Sequence, residues 1–187
     1  MRIIGGSFKG KKILQPDDTL TRPLKDLTKE SIFNIINHSN KFSINLNYAY
    51  ILDLFSGVGS FGIECLSRGA KKVIFVERYE KVLSILKKNL ESLRLINNYE
   101  ILEKNIDEEN IFSNLVNEFD VIFLDPPYKD KNLFKILFKI EKNKILKKNG
   151  IIIIHRHKNE KDIFPPNFRI LEEKKYGISK IIFMNYL

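Results

Sequence analysis

With one cysteine, Cys65, among 187 residues, the chain can form no internal disulfide. Its fold must rest on core packing, as suits a compartment that keeps thiols reduced. Long apolar runs are also missing: the isoleucines at 151–154 are a strand's worth, far short of the roughly 20 residues that cross a bilayer. The opening MRIIGGSFKGKK is basic but lacks the apolar stretch of a signal peptide. Together these absences predict a cytoplasmic protein with no membrane association. There is no internal repeat and no low-complexity linker, and 187 residues fill one full-sized core. The division expected is a basic arm and helix over 1–47, appended to a main domain over 48–187. Cys65 reads as a small buried residue within a helix.

Acid is scarce overall, with 23 Asp and Glu against 32 Lys and Arg, and it is unevenly placed. Residues 51–128 hold 9 basic and 13 acidic side chains, whereas 1–50 hold 8 and 4, and 129–187 hold 15 and 6. An acidic centre between basic flanks is what a protein that meets a polyanion such as nucleic acid would show. Lysine is also used throughout as a solvated surface residue, so no single lysine is assigned a phosphate by charge alone.

Residues 2–14, with Gly5, Gly6 and Gly10, suggest a hairpin or arm, and a helix follows from about Asp26, as N-cap, to Asn37. From Tyr48 strands and helices alternate. Strands are expected at 48–55, 72–77, 100–103, 121–124 and 151–155, the last launched by Gly150. Helices are expected from the glycine-rich turn through Leu66, closed by Gly69, and over 79–93, 107–117 and 131–142. This alternation implies a parallel sheet covered on both faces. Residues 168–187 instead hold two strand-like runs joined at 174–177, an antiparallel hairpin.

The run at 121–124 is apolar and β-prone, and the chain must leave its strand at Pro126 because two prolines supply no ladder N–H. Asp125 is thereby presented at the carboxyl end of a strand, where open α/β sheets bind ligands. Asp125, Pro126, Pro127 and Tyr128 can form a pocket that grips a planar amine between a carboxylate, a proline carbonyl and an aromatic face. They can equally form a stiff turn with a core tyrosine.

The first strand leads into Asp53-Leu-Phe-Ser-Gly57-Val-Gly59-Ser-Phe-Gly62, and Glu77 stands twenty residues after Gly57. Nicotinamide dinucleotides and S-adenosylmethionine both use such a loop, with an acid for the ribose. A carboxylate at Asp53, just ahead of the glycines, opposes a pyrophosphate and suits an ammonium and a sulfonium.

These segments, DLFSGVGSFG, the acid in VER, and DPPY, resemble class I S-adenosylmethionine-dependent methyltransferases that act on exocyclic amines. With RIIGGSFKG, the TRP at 21–23, KESIFN, ECLSRGA and KKYG, the chain is similar over nearly its whole length to the RsmD family of bacterial 16S ribosomal-RNA guanine-N2 methyltransferases. The resemblance implies a Rossmann-like α/β fold, seven strands in the order 3-2-1-4-5-7-6 with strand 7 antiparallel. It implies that Asp53, Phe55, Gly57 and Gly59 hold the methionine part of the cofactor, Glu77 and Arg78 the ribose, and Asn105 with Ile106 the adenine. Relatives often have an acid at position 105 and another at the end of strand 5, where this chain has His155-Arg156-His157. The two histidines read as surface or phosphate-contact residues, and the reaction calls for no metal.

The implied chemistry is methylation of guanine N2, with Asp125 and Pro126 accepting from the amine and Tyr128 stacking on the base. Lys9, Lys11, Lys12 and Arg22 would follow phosphates of 16S rRNA, free or within the small subunit, and the enzyme would act as a monomer. Alternatives are adenine-N6 methylation of DNA or RNA, a non-catalytic RNA-binding module, and a dehydrogenase.

Overall fold

The computed structural model describes residues 1–17, 24–94, 98–108, 110–113, 115, 118–127 and 130–187. Its centre is a seven-stranded sheet in the order β3-β2-β1-β4-β5-β7-β6. The strands are β1 (Tyr50–Leu54), β2 (Lys72–Glu77), β3 (Tyr99–Glu103), β4 (Phe119–Leu124), β5 (Leu146–His157), β6 (Phe168–Tyr176) and β7 (Ser179–Tyr186). β3, β2, β1, β4 and β5 pair in parallel, and β7 runs antiparallel to both β5 and β6. This is the order and the strand polarity that the resemblance implies.

Alternation along each strand sends side chains to opposite faces, and each face has its own core. Ile51, Phe75, Val121, Phe123, Ile153 and Phe183 face α1 (Asp26–His38), α2 (Ser60–Ser67) and α3 (Glu80–Ser92). Leu52, Leu54, Val76, Ile122, Ile154 and Met184 face α4 (Leu133–Lys142). Three stacked rings run through the first core: Phe33 of α1 lies 5.3 Å from Phe61 of α2, which lies 4.1 Å from Phe123 of β4. The strand that ends at Asp125 is thus gripped from the helical side.

Several boundaries depart from the sequence reading. Described residues of 107–117 form turns, with Glu108 N–H donating to the Asn105 carbonyl and Leu115 N–H to that of Phe112. The Asn105 side-chain carbonyl takes the Asp107 N–H (3.1 Å), a local bond that competes with helix. Adjacent Ile111 and Phe112 both plug the α4-side core from these turns. β5 starts at Leu146 rather than 151, because a register shift between Phe119 and Val121 lets it pair earlier around Gly150. The terminal hairpin turns at Gly177 and Ile178. Asp26 is the first helical residue rather than the N-cap, and its carboxylate lies 3.8 Å from the Lys29 ammonium.

The amino-terminal residues form a hairpin with an Arg2–Lys12 bridge. Its ladder cannot bury much surface alone, so α2 supplies the missing partners. The Glu64 carboxylate, fully buried, accepts from Ile4 N–H (2.8 Å), Gly5 N–H (2.7 Å) and Arg68 Nε (3.0 Å). Buried Lys29 stands 3.6 Å from Glu64 and donates to the Arg2 carbonyl (2.7 Å). Burial pulls the Lys29 ammonium below its usual range, and Glu64 opposes that. Gly6 is required at its position: φ is +74°, and a Cβ would fall 1.8 Å from the Ser67 carbonyl oxygen. Ile3 and Ile13 join the same core as α1 and α2.

Candidate active site

β1, β2 and β4 are neighbours, so their carboxyl ends bring Asp53, Glu77 and Asp125 to one edge. Asp53 is the most deeply placed, 1% exposed, and its Oδ2 accepts from the Gly62 N–H in the first turn of α2 (2.9 Å). That bond ties the glycine loop to the strand it leaves. Burial pushes the Asp53 carboxyl well above the usual carboxylate range; the Gly62 N–H pulls it back, and the charges of Asp125 and Glu77 push it further up.

The native state therefore holds the Asp53 proton to a higher pH than the unfolded chain does, and stability declines as pH rises from the ordinary carboxylate range through the raised value. Asp53→Asn keeps the Gly62 acceptor and removes the charge. It is expected to flatten this decline and raise the melting temperature at neutral and mildly alkaline pH, as thermal unfolding at a series of pH values would show.

Around the loop, Phe55 has φ +59° and Gly57 φ +55°. A Cβ on Gly57 would meet nothing within 4 Å, whereas one on Gly59 or Gly62 would strike Leu86 of α3 or the Phe75 ring. Gly57 is thus the loop glycine whose Cβ side borders open space, while on Gly59 and Gly62 that side is packed against the core. Glu77 organises the same turn: its Oε2 accepts from Gly57 N–H (2.8 Å), and its Oε1 from Arg78 N–H (2.8 Å) and Tyr79 N–H (2.9 Å). The Arg78 side chain is exposed. Past β3, Asn105 stands in its own turn and Ile106 is buried. The expected cofactor residues therefore lie along the adjoining ends of β1, β2 and β3.

Asp125 donates its N–H to the Leu54 carbonyl (3.3 Å), continuing the ladder one step past β4. Its side chain is one-fifth exposed, and Oδ1 lies 2.8 Å from His155 Nδ1. His155 Nε2 in turn lies 2.9 Å from the Ser179 hydroxyl of β7. Pro126 is buried and Pro127 exposed. Tyr128 and Arg22 fall outside the described residues.

Arg156, 2% exposed, holds the loop beyond Asp125. Its Nη1 donates to the Pro127 carbonyl (3.2 Å), Nη2 to that of Asp130 (2.9 Å), and Nε to Asp162 Oδ1 (3.0 Å). Lysine cannot make this planar three-way contact. Arg156→Lys is expected to leave the chain folded and cofactor affinity unchanged while cutting kcat/KM about tenfold, as steady-state methylation assays would show; an unchanged kcat/KM would contradict the loop-holding role.

Of the two histidines read as surface or phosphate-contact residues, His155 was misread and His157 is half-buried. His155 is buried and bonded to Asp125, and His157 takes the Asn159 N–H (3.3 Å). His155, Arg156 and Ser179 are the residues around the Asp125 turn that sequence reasoning missed. The available signal was register: pairing of Leu124 with Ile154 puts the residues after them, Asp125 and His155, side by side. Lys9, Lys11 and Lys12 are exposed on the hairpin. Its Ser7 and Phe8 bond to Ser67 at the far end of α2, while Leu14 is tied by Asn89, which also holds the Val58 carbonyl in the glycine loop. These bonds seat the hairpin against α2, whose residues from Ser60 to Ser67 are all buried.

A sheet of this order, with a glycine loop after β1 and an acid-proline-proline turn after β4, is the Rossmann-like α/β fold of class I methyltransferases. Over all of this chain and 97% of its own, the yhhF structure from Escherichia coli, provisionally named a methyltransferase, superposes with a TM-score of 0.80 at 27% identity. A Haemophilus influenzae crystal structure gives 0.76 at 33% identity over 100% and 98% of the two chains.

Residues 1–185 match the family described as "Conserved hypothetical protein 95", and the chain belongs to that family, the RsmD family. Ribosomal RNA small subunit methyltransferase D of Haemophilus influenzae is 34% identical over 180 residues, 95% of this chain and 90% of the relative. The YlbH protein of Bacillus subtilis, provisionally named an rRNA methyltransferase, is 39% identical over 155 residues, 82% and 80% of the two.

Proposed function

We propose that this enzyme transfers a methyl group from S-adenosylmethionine to the exocyclic N2 of a guanine in 16S ribosomal RNA. The observation that carries the reading is Asp125: a partly exposed carboxylate at the end of β4, beside the glycine loop and near enough to Asp53 to raise its proton affinity. Membership in the RsmD family, and the names of its small-subunit rRNA methyltransferase relatives, support the substrate.

The residues fit the cofactor. Asp53 is a buried acid held partly in check by two neighbouring carboxylates, a situation that a cationic group relieves, and the Gly57 backbone is open to close approach. Asp53, Phe55, Gly57 and Gly59 would hold the methionine end, Glu77 and Arg78 the ribose, Asn105 and Ile106 the adenine. When bound, the cofactor supplies a methyl group already activated on a sulfonium. Because Asp53 must be ionised to serve a cation, affinity should fall as pH drops through its raised value, and in Asp53→Asn that pH dependence should vanish.

The guanine amine is a poor nucleophile because its lone pair is delocalised into the ring. Its two N–H groups would donate to the Asp125 carboxylate and the Pro126 carbonyl, localising the lone pair towards the methyl as positive charge develops on nitrogen. Tyr128 would stack on the base, worth about 1–3 kcal/mol, and align it for attack. After transfer the nitrogen carries one proton too many, and Asp125 is placed to receive it. Lys9, Lys11, Lys12 and Arg22 would contact RNA phosphates. The enzyme would work as a cytoplasmic monomer on rRNA, free or in the small subunit.

Labelled cofactor incubated with undermodified small subunits, naked 16S rRNA and DNA, followed by nucleoside digestion, tests this. Labelled N2-methylguanosine is expected from an rRNA substrate; N6-methyladenine from any of the three would favour the alternative amine.

A further inference from the structure

We propose that His155 is a positioning residue: braced by Ser179, it fixes the carboxylate of Asp125 so that one oxygen is aimed at the substrate amine. This rests on the reading of Asp125 as the amine acceptor. Asp125 stands where β4 has ended, and the terminal torsion of an aspartate is soft, so an exposed carboxylate there would rotate. His155 removes that freedom by taking Oδ1 at 2.8 Å, leaving Oδ2 as the oxygen to present.

The histidine is itself over-determined. It is 7% exposed, at the end of the buried isoleucine run of β5. Antiparallel pairing of His155 with Ile181 and of His157 with Ser179 places Ser179 two residues along on the same face. An ionised carboxylate only accepts, which assigns the proton to Nδ1. The Ser179 hydroxyl can donate to Nε2 of the neutral ring or accept from it when the ring is charged. The Nδ1–H···Oδ1 bond therefore survives either state of the imidazole. The ring neither touches the substrate nor takes the transferred proton; it acts through Asp125.

Displacement of a reacting group by about 1 Å can cost about 10² in rate. His155→Leu, in the intact enzyme with its RNA substrate, is therefore expected to lower kcat about 10- to 100-fold, with KM for RNA and cofactor affinity within about twofold. His155→Asn places an amide N–H where Nδ1–H stood, and should recover most of the loss. Ser179→Ala should cost severalfold alone and little more in the His155→Leu background. Melting temperatures of all variants are measured alongside, and the two conservative variants keep the test valid if the leucine variant does not fold.

Normal kcat in folded His155→Leu, or equal damage from folded asparagine and leucine variants, would overturn the inference. Asp125→Ala run in the same assay separates the two levels. If it is inactive while His155→Leu turns over normally, only the positioning role fails; if it is active, the reading of the site beneath it fails.

Discussion

Asp125→Ala is expected to lose methyl transfer by a factor of roughly 10²–10³ or more, while S-adenosylmethionine still binds within about twofold of the native affinity. The magnitude follows from losing one pre-organised group aimed at developing charge, which in other active sites costs about 10²–10³ in kcat. The selectivity follows from geometry, since Asp53, Gly57 and Glu77 keep their own contacts through Gly62, Arg78 and Tyr79, none of which involves Asp125. Calorimetric titration of cofactor and single-turnover methylation, run on the same preparation, check both halves. Turnover near the native rate would contradict the proposed role of the carboxylate; loss of cofactor binding would instead make Asp125 part of the cofactor site.

The second large effect is on stability. Glu64→Ala should destabilise the protein by roughly 3–5 kcal/mol, the usual range when one member of a buried ion pair is removed. Lys29 would be left fully buried with its nearest carboxylate gone, and the N–H groups of Ile4 and Gly5 would lose their acceptor. At roughly 2–4 °C per kcal/mol for a chain of this size, the melting temperature should fall by about 6–20 °C. Thermal unfolding followed by circular dichroism measures it directly. A change under about 1 kcal/mol would mean that the hairpin is not secured through α2.

What the residues disclosed before any coordinates follows the range of the forces involved. Alternating apolar segments between helical stripes are local, periodic signals, and they led to the parallel sheet and to the acids at the ends of β1, β2 and β4. The antiparallel pair β6 and β7 was legible from its two strand-like runs, although the turn lies further along, at Gly177 and Ile178, than the join expected at 174–177. Among the described residues of 107–117 the expected helix gives way to turns, the first of them closed by the side chain of Asn105.

His155 and Arg156 were the costlier misses. Nothing in H-R-H announces burial; it comes from β4 on one side and β7 on the other, contacts 24–30 residues away in sequence. A histidine where relatives often carry an acid looked like a departure from the pattern. In the fold it is the partner of Asp125, the residue most central to the proposed chemistry. Glu64 was likewise invisible: an acid inside an apolar helix pattern signals nothing until the hairpin's N–H groups are found on it.

The most direct test of the account is the modification state of 16S rRNA in cells that lack this gene, compared with cells carrying the native gene or Asp125→Ala in its place. Nucleoside mass spectrometry of the purified rRNA should show one N2-methylguanosine lost on deletion, restored by the native gene and not by the variant. Full N2-methylation of that guanine in the deletion strain, or restoration by Asp125→Ala, would contradict it.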